Sequence, residues 1–331
     1  MSVLVVIVNF RTPHLTVDCL RSLQQQVQAQ PGTQVVVVEN ASGDDSARII
    51  SAAIRNEGWG LWARLVESPV NGGFAYGNNV ALRPALASGS GFDFFWLLNP
   101  DTTVRPGALD ALLAFAHAHP DAGIMGSAME GADGAPWPYA FRFPTLWSEV
   151  DGGMRLGVVS RLLRRWAILH RMNGQEAQVD WVVGASMMVR RAVFESVGLM
   201  DEHYFLYYEE TDFCLQARRA GWSCWYVPRS RVMHIAGQST GVTGKQEVLK
   251  RRPKYWFDSR RRYFIKNRSR AYAIATDLAW AASHALWRLR RLIQRRAPVD
   301  PPHFLTDFLR YSALATSDIE GNPGVTRTTA R

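Results

Sequence analysis

Three carboxylates, Glu209, Glu210 and Asp212, crowd into four residues of the run YFLYYEETDFCLQARRAGW, Tyr204 to Trp222. Four aromatic side chains precede them and a segment of helical period follows. An aromatic wall lowers the local dielectric and like charges repel, and both effects raise a carboxylate pKa toward the range of a general base. Acids are also at home in the first turn of any helix, where they offset the macrodipole. Another acid, Asp101, follows the apolar run Phe92 to Leu98 in the tip Asn99-Pro100-Asp101-Thr102. A carboxylate at the mouth of a buried strand is placed to hold a divalent cation that neutralises a diphosphate. Asn-Pro-Asp is equally ordinary turn chemistry. His234 ends the apolar segment Val232-Met233, on the side expected for Asp101.

These groups need elements to position them, and the pattern predicts an α/β fold. Val3 to Val8 is a continuous apolar run, the mark of a strand covered on both faces. Thr12 and Pro13 open a helix on which Leu15, Cys19, Leu23 and Val27 recur at fourfold spacing. A second strand, Val35 to Val38, runs into Glu39-Asn40-Ala41-Ser42, and Leu65 to Glu67 reads as a third. In such folds ligands gather at the C-terminal ends of strands. The loop NGGFAYGNN, Asn71 to Asn79, has glycines that let a backbone approach a ligand, or simply turn tightly. It matches neither GxGxxG after the first strand nor a P-loop. Ala122 to Ser127 and Trp181 to Arg190 read as further strands, the latter interrupted at Gly184-Ala185, which implies a close approach to its backbone. Cys224 to Val227 is a short strand, and residues 128–180 read as an inserted, partly mobile region over the site.

Composition bounds the rest. The 331 residues are 47% apolar, which makes a globular chain. The three cysteines form neither a CxxC nor a Cys/His cluster, so no disulfide framework or zinc site is expected, and a reducing compartment fits. The net charge of +9 is segregated: residues 245–296 hold 16 Lys and Arg against three acids, which leaves the remainder mildly acidic. Such a basic appendage suits an anionic surface. From Ile274, Leu278, Ala285, Leu289 and Leu292 share one helical face opposite Asp277, His284, Arg288, Arg291 and Arg295, with Trp280 and Trp287 at the flanks. Basic residues and aromatics on an amphipathic helix fit one lying in a membrane plane. No nucleic-acid reading motif accompanies the charge. From Ala313 the chain is small and polar, and disorder is expected.

Taken in order, VVIVNF, VVENAS, NGGFAYGNN, FFWLLNPDT, WVVGASMMVRR, GLMDEHYFLYYEETDFCLQARRAGW and His234 resemble the family 2 glycosyltransferases, within them the bacterial rhamnosyltransferase-like branch. The resemblance implies a GT-A fold, a Rossmann-like mixed sheet flanked by helices, with inverting chemistry. It implies a catalytic domain over 1–240, with a nucleotide-sugar half to about 127 and an acceptor half beyond. A basic helical, membrane-associating extension would span 241–312, and a tail 313–331. Carried onto this sequence, Asn9, Arg11, Glu39, Asn40, Ser42, Gly73, Phe74, Asn78, Asn99, Asp101, Gly184 and Ala185 would line the nucleotide-sugar site. Asp101 and His234 would hold a divalent cation, Mn or Mg, and Asn99 stands where the metal motif usually has a second acid. Glu210 takes the position of the usual aspartate base, Glu39 replaces a common Asp, and Glu209 and Asp212 would organise helix and acceptor. Which of the three acids reaches the acceptor is left open. The implied partners are a nucleotide-sugar donor, dTDP-rhamnose first and UDP-galactofuranose or a GDP-sugar as alternatives, a lipid-linked glycan or polysaccharide acceptor, and an anionic membrane surface. A homodimer is compatible. The location implied is cytoplasmic, on the inner face of the bacterial plasma membrane, and a catalytically silent nucleotide-sugar-binding scaffold is the rival reading.

Overall fold

The computed structural model describes residues 1–89, 91–137, 139–235, 250–296 and 299–316. The first half alternates strand and helix: β1 (Val3–Asn9), α1 (Pro13–Ala29), β2 (Thr33–Glu39), α2 (Ser46–Asn56), β3 (Ala63–Glu67), α3 (Gly73–Ala87) and β4 (Phe94–Leu98). Next come β5 (Thr102–Val104), α4 (Ala108–Ala118), β6 (Ala122–Glu130), β7 (Pro136–Trp137), β8 (Tyr139–Phe141), α5 (Leu146–Met154), α6 (Gly157–Leu162), β9 (Leu169–Arg171) and β10 (Ala177–Val179). The chain continues through β11 (Ser186–Arg190), α7 (Arg191–Val197), α8 (Glu209–Arg219), β12 (Ser223–His234), α9 (Lys254–Asn267), α10 (Arg270–Ile293) and α11 (Phe304–Arg310).

The main sheet runs β10-β12-β6-β11-β4-β1-β2-β3. Its β3-β2-β1-β4 half is parallel, and β11 enters antiparallel between β4 and β6. The alternation of side chains along β1 divides the core: Val3, Val5 and Ile7 join one apolar layer with Leu20 and Leu112, while Leu4 and Val6 join a second with Leu82 and Phe213. This is why the run is apolar at every position, as the sequence implied. All three cysteines are buried and unpaired in disulfides.

Two strand boundaries differ from the sequence reading. β11 begins only at Ser186, because Trp181 leaves the ladder to stack on Phe141 at 4.4 Å and Gly184 is pressed against the Phe74 ring. The short strand expected at 224–227 and the apolar segment at 232–234 are one strand, β12, with a register shift between Val227 and Arg231. Pro228 lies inside that shift and has no N–H to give the ladder.

The C-terminal segment is packed into the body rather than appended. The boundary expected at 240 falls outside the described residues. Helix α10 lies along α5 of the inserted region: the Tyr272 hydroxyl accepts from Leu146 N–H at 2.9 Å, and Gly153 abuts the Trp280 and His284 backbone. Asp277 and His284, read from the sequence as the face opposite the leucines, are buried. The buried Arg260 guanidinium holds Asp277 there, since it bridges Asp277 and, at 2.7 Å, Glu149, while the His284 ring stacks between Trp280 and Trp287. Ala313 is fully buried and donates its N–H to Asp277 at 2.7 Å, so the chain is still packed where disorder was expected to begin. Residues 317–331 lie outside the described residues.

Removing one member of a buried ion network strands the other charges in low dielectric. Arg260→Leu is therefore expected to cost about 3–5 kcal/mol of stability, read by urea unfolding. A loss of under about 1 kcal/mol would place the triad among screened surface pairs.

Candidate active site

Residues at the ends of β1 and β2 tie the two strand tips together. Asn9 accepts from Thr16 at 2.9 Å and donates to the Ser42 hydroxyl at 3.4 Å. The Arg11 backbone N–H donates to the Ser42 hydroxyl at 3.0 Å and its Nε to the Ser42 carbonyl at 3.0 Å. Glu39 accepts from the Ser42 N–H at 2.8 Å. Arg11 and Ala41 both take positive φ, 57° and 53°, a strain that the cross-ties hold in place. Asn40 reaches Asn71 at 3.0 Å and the Gly73 carbonyl at 3.1 Å, which brings the start of α3 to the same edge. Asn78 donates to the Phe74 carbonyl at 2.9 Å, and its buried Oδ1 has no hydrogen-bond partner among the described residues.

The atoms for which two of the glycines make room are the protein's own. Gly73 has φ 86°, and a Cβ there would stand 1.8 Å from the Phe205 carbonyl oxygen. That carbonyl accepts from the Phe74 N–H at 2.9 Å. A Cβ at Gly184 would meet the Phe74 ring at 2.8 Å. The glycine loop is thus the seat on which the acidic segment rests.

Asp101 and His234, 133 positions apart, meet because β5 pairs antiparallel with β12, with His234 opposite Thr102. His234 Nε2 lies 3.2 Å from Asp101 Oδ1 and 3.3 Å from Asn99 Nδ2. Asp101 is buried. A hard carboxylate oxygen beside an imidazole nitrogen fits a divalent cation of the Mn or Mg kind, with imidazole favouring the transition metal. No group of three or more His, Cys, Asp or Glu suited to a metal occurs among the described residues. Any such cation would take its other ligands from substrate oxygens and water.

The acidic turn is built under strain. Tyr207 and Tyr208 are consecutive residues with φ 71° and 68°, and α8 starts directly after them at Glu209. For bulky side chains this backbone region is costly, so the surroundings must enforce it. Helix α9 does so. Ser259 donates to the Leu206 carbonyl at 3.0 Å, Tyr263 packs on Tyr208 at 5.4 Å, and Tyr255 lies 5.2 Å from Phe205 and 6.2 Å from Tyr207. Lys266 joins Asp201 at 2.7 Å to Asp212 at 2.6 Å, and Arg262 also holds Asp201 at 2.8 Å. Burial opposes the charge on Asp201, but the Lys266 and Arg262 hydrogen bonds outweigh it and hold its carboxyl well below the usual range.

The three clustered acids now separate. Asp212 is buried and fully engaged, accepting from Lys266, from Asn267 at 2.6 Å and from Gln216 at 3.3 Å. It fastens α8 to α9. Burial, followed by the Glu210 charge, pushes Glu209 well above the ordinary carboxylate range. Burial also raises Glu210, partly offset by hydrogen bonds from its own N–H and that of Gly184. Oε2 of each is buried with no hydrogen-bond partner among the described residues. Gly184 leads into Ala185, whose carbonyl accepts from the Asn99 N–H at 3.1 Å. A two-residue bridge therefore connects Glu210 to the Asn99-Pro100-Asp101 tip.

A family model described as "Glycosyltransferase like family 2" matches residues 2–252, which takes in all of these elements up to β12. The chain belongs to this glycosyltransferase family. The N-acetylglucosaminyl-diphospho-decaprenol L-rhamnosyltransferase of Mycobacterium tuberculosis is 36% identical over 154 residues, 45% of this chain and 49% of that protein. The chain thus spans about half the length of that curated relative. Among solved structures, Staphylococcus aureus TarS (residues 1–349) superposes with TM-score 0.53 at 16% identity, covering 94% of this chain and 81% of that one. The mannosyltransferase PcManGT of Pyrobaculum calidifontis, in complex with GDP-Man and Mn2+, gives 0.54 at 15% identity over 88% and 75%. These likenesses establish the GT-A fold.

The sequence reading of this family member missed Ser259, Arg262, Lys266 and Asp201. The basic cluster of α9 was legible as charge, but its acidic partners lie 54 to 65 residues away and no local spacing reveals them. Lys266→Met is expected to lower kcat about 10- to 100-fold by loosening the acidic turn, with KM for the donor little changed and most of the loss restored by Lys266→Arg. An equal rise in KM with unchanged kcat would assign Lys266 to ground-state binding instead.

Proposed function

We propose that this family 2 enzyme transfers L-rhamnose, with inversion, from dTDP-rhamnose to a lipid-linked glycan at the inner face of the bacterial plasma membrane. The carrying observation is the raised Glu209/Glu210 pair joined through Gly184-Ala185 to the Asp101/His234 tip. The kinship with a mycobacterial rhamnosyltransferase supports the sugar. Residues 1–240 act as the catalytic domain in this reading, with the donor at the β1, β2 and β4 tips.

Glu210 accepts the proton of the acceptor hydroxyl as that oxygen bonds to the anomeric carbon and the bond from that carbon to the diphosphate oxygen breaks. A divalent cation held by Asp101 and His234 would supply charge neutralisation for the departing diphosphate. Asn99 positions the His234 ring through its 3.3 Å contact. A single displacement inverts the centre and uses one base, so Glu209 serves as the neighbouring acid that keeps Glu210 basic. Arg11, Glu39, Asn40, Ser42, Gly73, Phe74 and Asn78 frame the nucleotide.

Two measurements test the reading. Thermal stabilisation by dTDP in the presence of Mn2+, greater than that by UDP or GDP and abolished in Asp101→Asn, is expected of a dTDP-sugar site. Stabilisation by UDP or GDP alone would overturn the donor. Glu210→Gln should keep the dTDP shift and lose turnover by about 10²- to 10⁴-fold, and full turnover in that variant would remove Glu210 from the mechanism.

A further inference from the structure

Helix α10 faces the opposite way from a helix that packs by its leucines. Its inner face carries Thr276, Asp277, Ser283 and His284 together with Trp280 and Trp287. The His284 ring stacks between those tryptophans, 4.6 and 5.2 Å from their ring centroids, and Asp277 is tied to Arg260. This anchoring turns the apolar stripe outward. Leu278, Leu286, Leu289, Leu292 and Ile293 are each more than half exposed, the last two at 74%. They follow the helical period, with exposed Ala282 and Ala285 between them.

We propose that this stripe is a bilayer-docking face, on which α10 lies in the plane of the interface between anionic headgroups and acyl chains. The inference rests on the reading of the chain as a transferase for a lipid-linked acceptor. Charge selects the occupant. Arg288, Arg290, Arg295 and Arg296 are exposed beside the stripe, and a groove of about 310 Å³ interleaves Arg288, Arg291 and Arg296 with Leu289 and Leu292. Alternating guanidinium and leucine match a lipid's phosphate and its chain. A second copy meeting through this face would bring two arginine clusters together. No described helix is long and apolar enough to cross a membrane, so the face lies on a bilayer rather than spanning it. The Asp277–Arg260 pair ties α10 to α9, which holds the acidic turn, so docking also fixes the orientation of Glu210 to the headgroup plane.

The test is sedimentation of the full chain with vesicles of phosphatidylcholine, with and without phosphatidylglycerol. Wild type should sediment with the anionic vesicles, and less so at high salt. L286E/L289E should bind them about tenfold more weakly or worse while keeping its melting temperature and its stabilisation by nucleotide, and R295Q/R296Q should lose the preference for phosphatidylglycerol. Equal sedimentation of wild type and L286E/L289E, or no sedimentation of either, would overturn the proposal. So would a wild-type dimer in light scattering that L286E/L289E dissolves, which would assign the face to self-association. Nucleotide stabilisation reports on the donor site separately, so its loss in wild type would fail the transferase reading and leave the docking result standing on its own.

Discussion

The left-handed pair Tyr207-Tyr208 sets the start of α8 and with it Glu209 and Glu210, the latter accepting from the N–H of Gly184, which leads to the Asn99-Pro100-Asp101 tip. Tyrosine does not adopt that backbone without compensation. The compensation comes from two sides. The Phe205 main chain is seated against Gly73 and Phe74, and α9 grips the segment through Ser259, Lys266 and an aromatic row. The Phe205 seat is why Gly73, at the start of α3, tolerates no side chain.

The same support distributes charge. Lysine and arginine from α9 engage Asp201 and Asp212, so these two acids serve as anchors. Burial dominates at Glu209 and Glu210 instead, and the Glu210 charge adds to the rise at Glu209. Four of the five acids between Asp201 and Asp212 thereby take two roles, set by what faces each one. Further back, Arg260 links α9 to α5 and α10, so the basic segment that looked like an appendage is the frame on which the acidic turn is stretched.

Much of this was legible in the sequence where the signal is local. β1 and β2 announced themselves by unbroken apolar runs, and Asp101 and the acidic cluster by their places at segment ends. The Asp101/His234 encounter was legible as a shared side and as a resemblance, but its geometry was not, because it depends on the pairing of β5, a three-residue strand too short to signal itself. The leucine stripe of α10 was legible by its spacing, but the contacts that turn it outward were not. They are a buried arginine on another helix and two tryptophans that take the inner face. The α9 clamp escaped for the same reason: arginines and lysines advertise solvent until their distant partners are known.

The raised carboxylate pair is the centre of this picture, and the pH dependence of kcat/KM tests it most directly. A carboxylate base with an elevated pKa is active above that pKa and loses activity as pH falls through it, and a coupled pair titrates as a unit. The acid limb is therefore expected above the ordinary glutamate value of about 4.3, and it should move toward that value in Glu209→Gln, where the neighbouring charge is gone. An acid limb at or below about 4.3 in the wild type, unmoved by Glu209→Gln, would contradict a buried, mutually repelling pair as the source of the base.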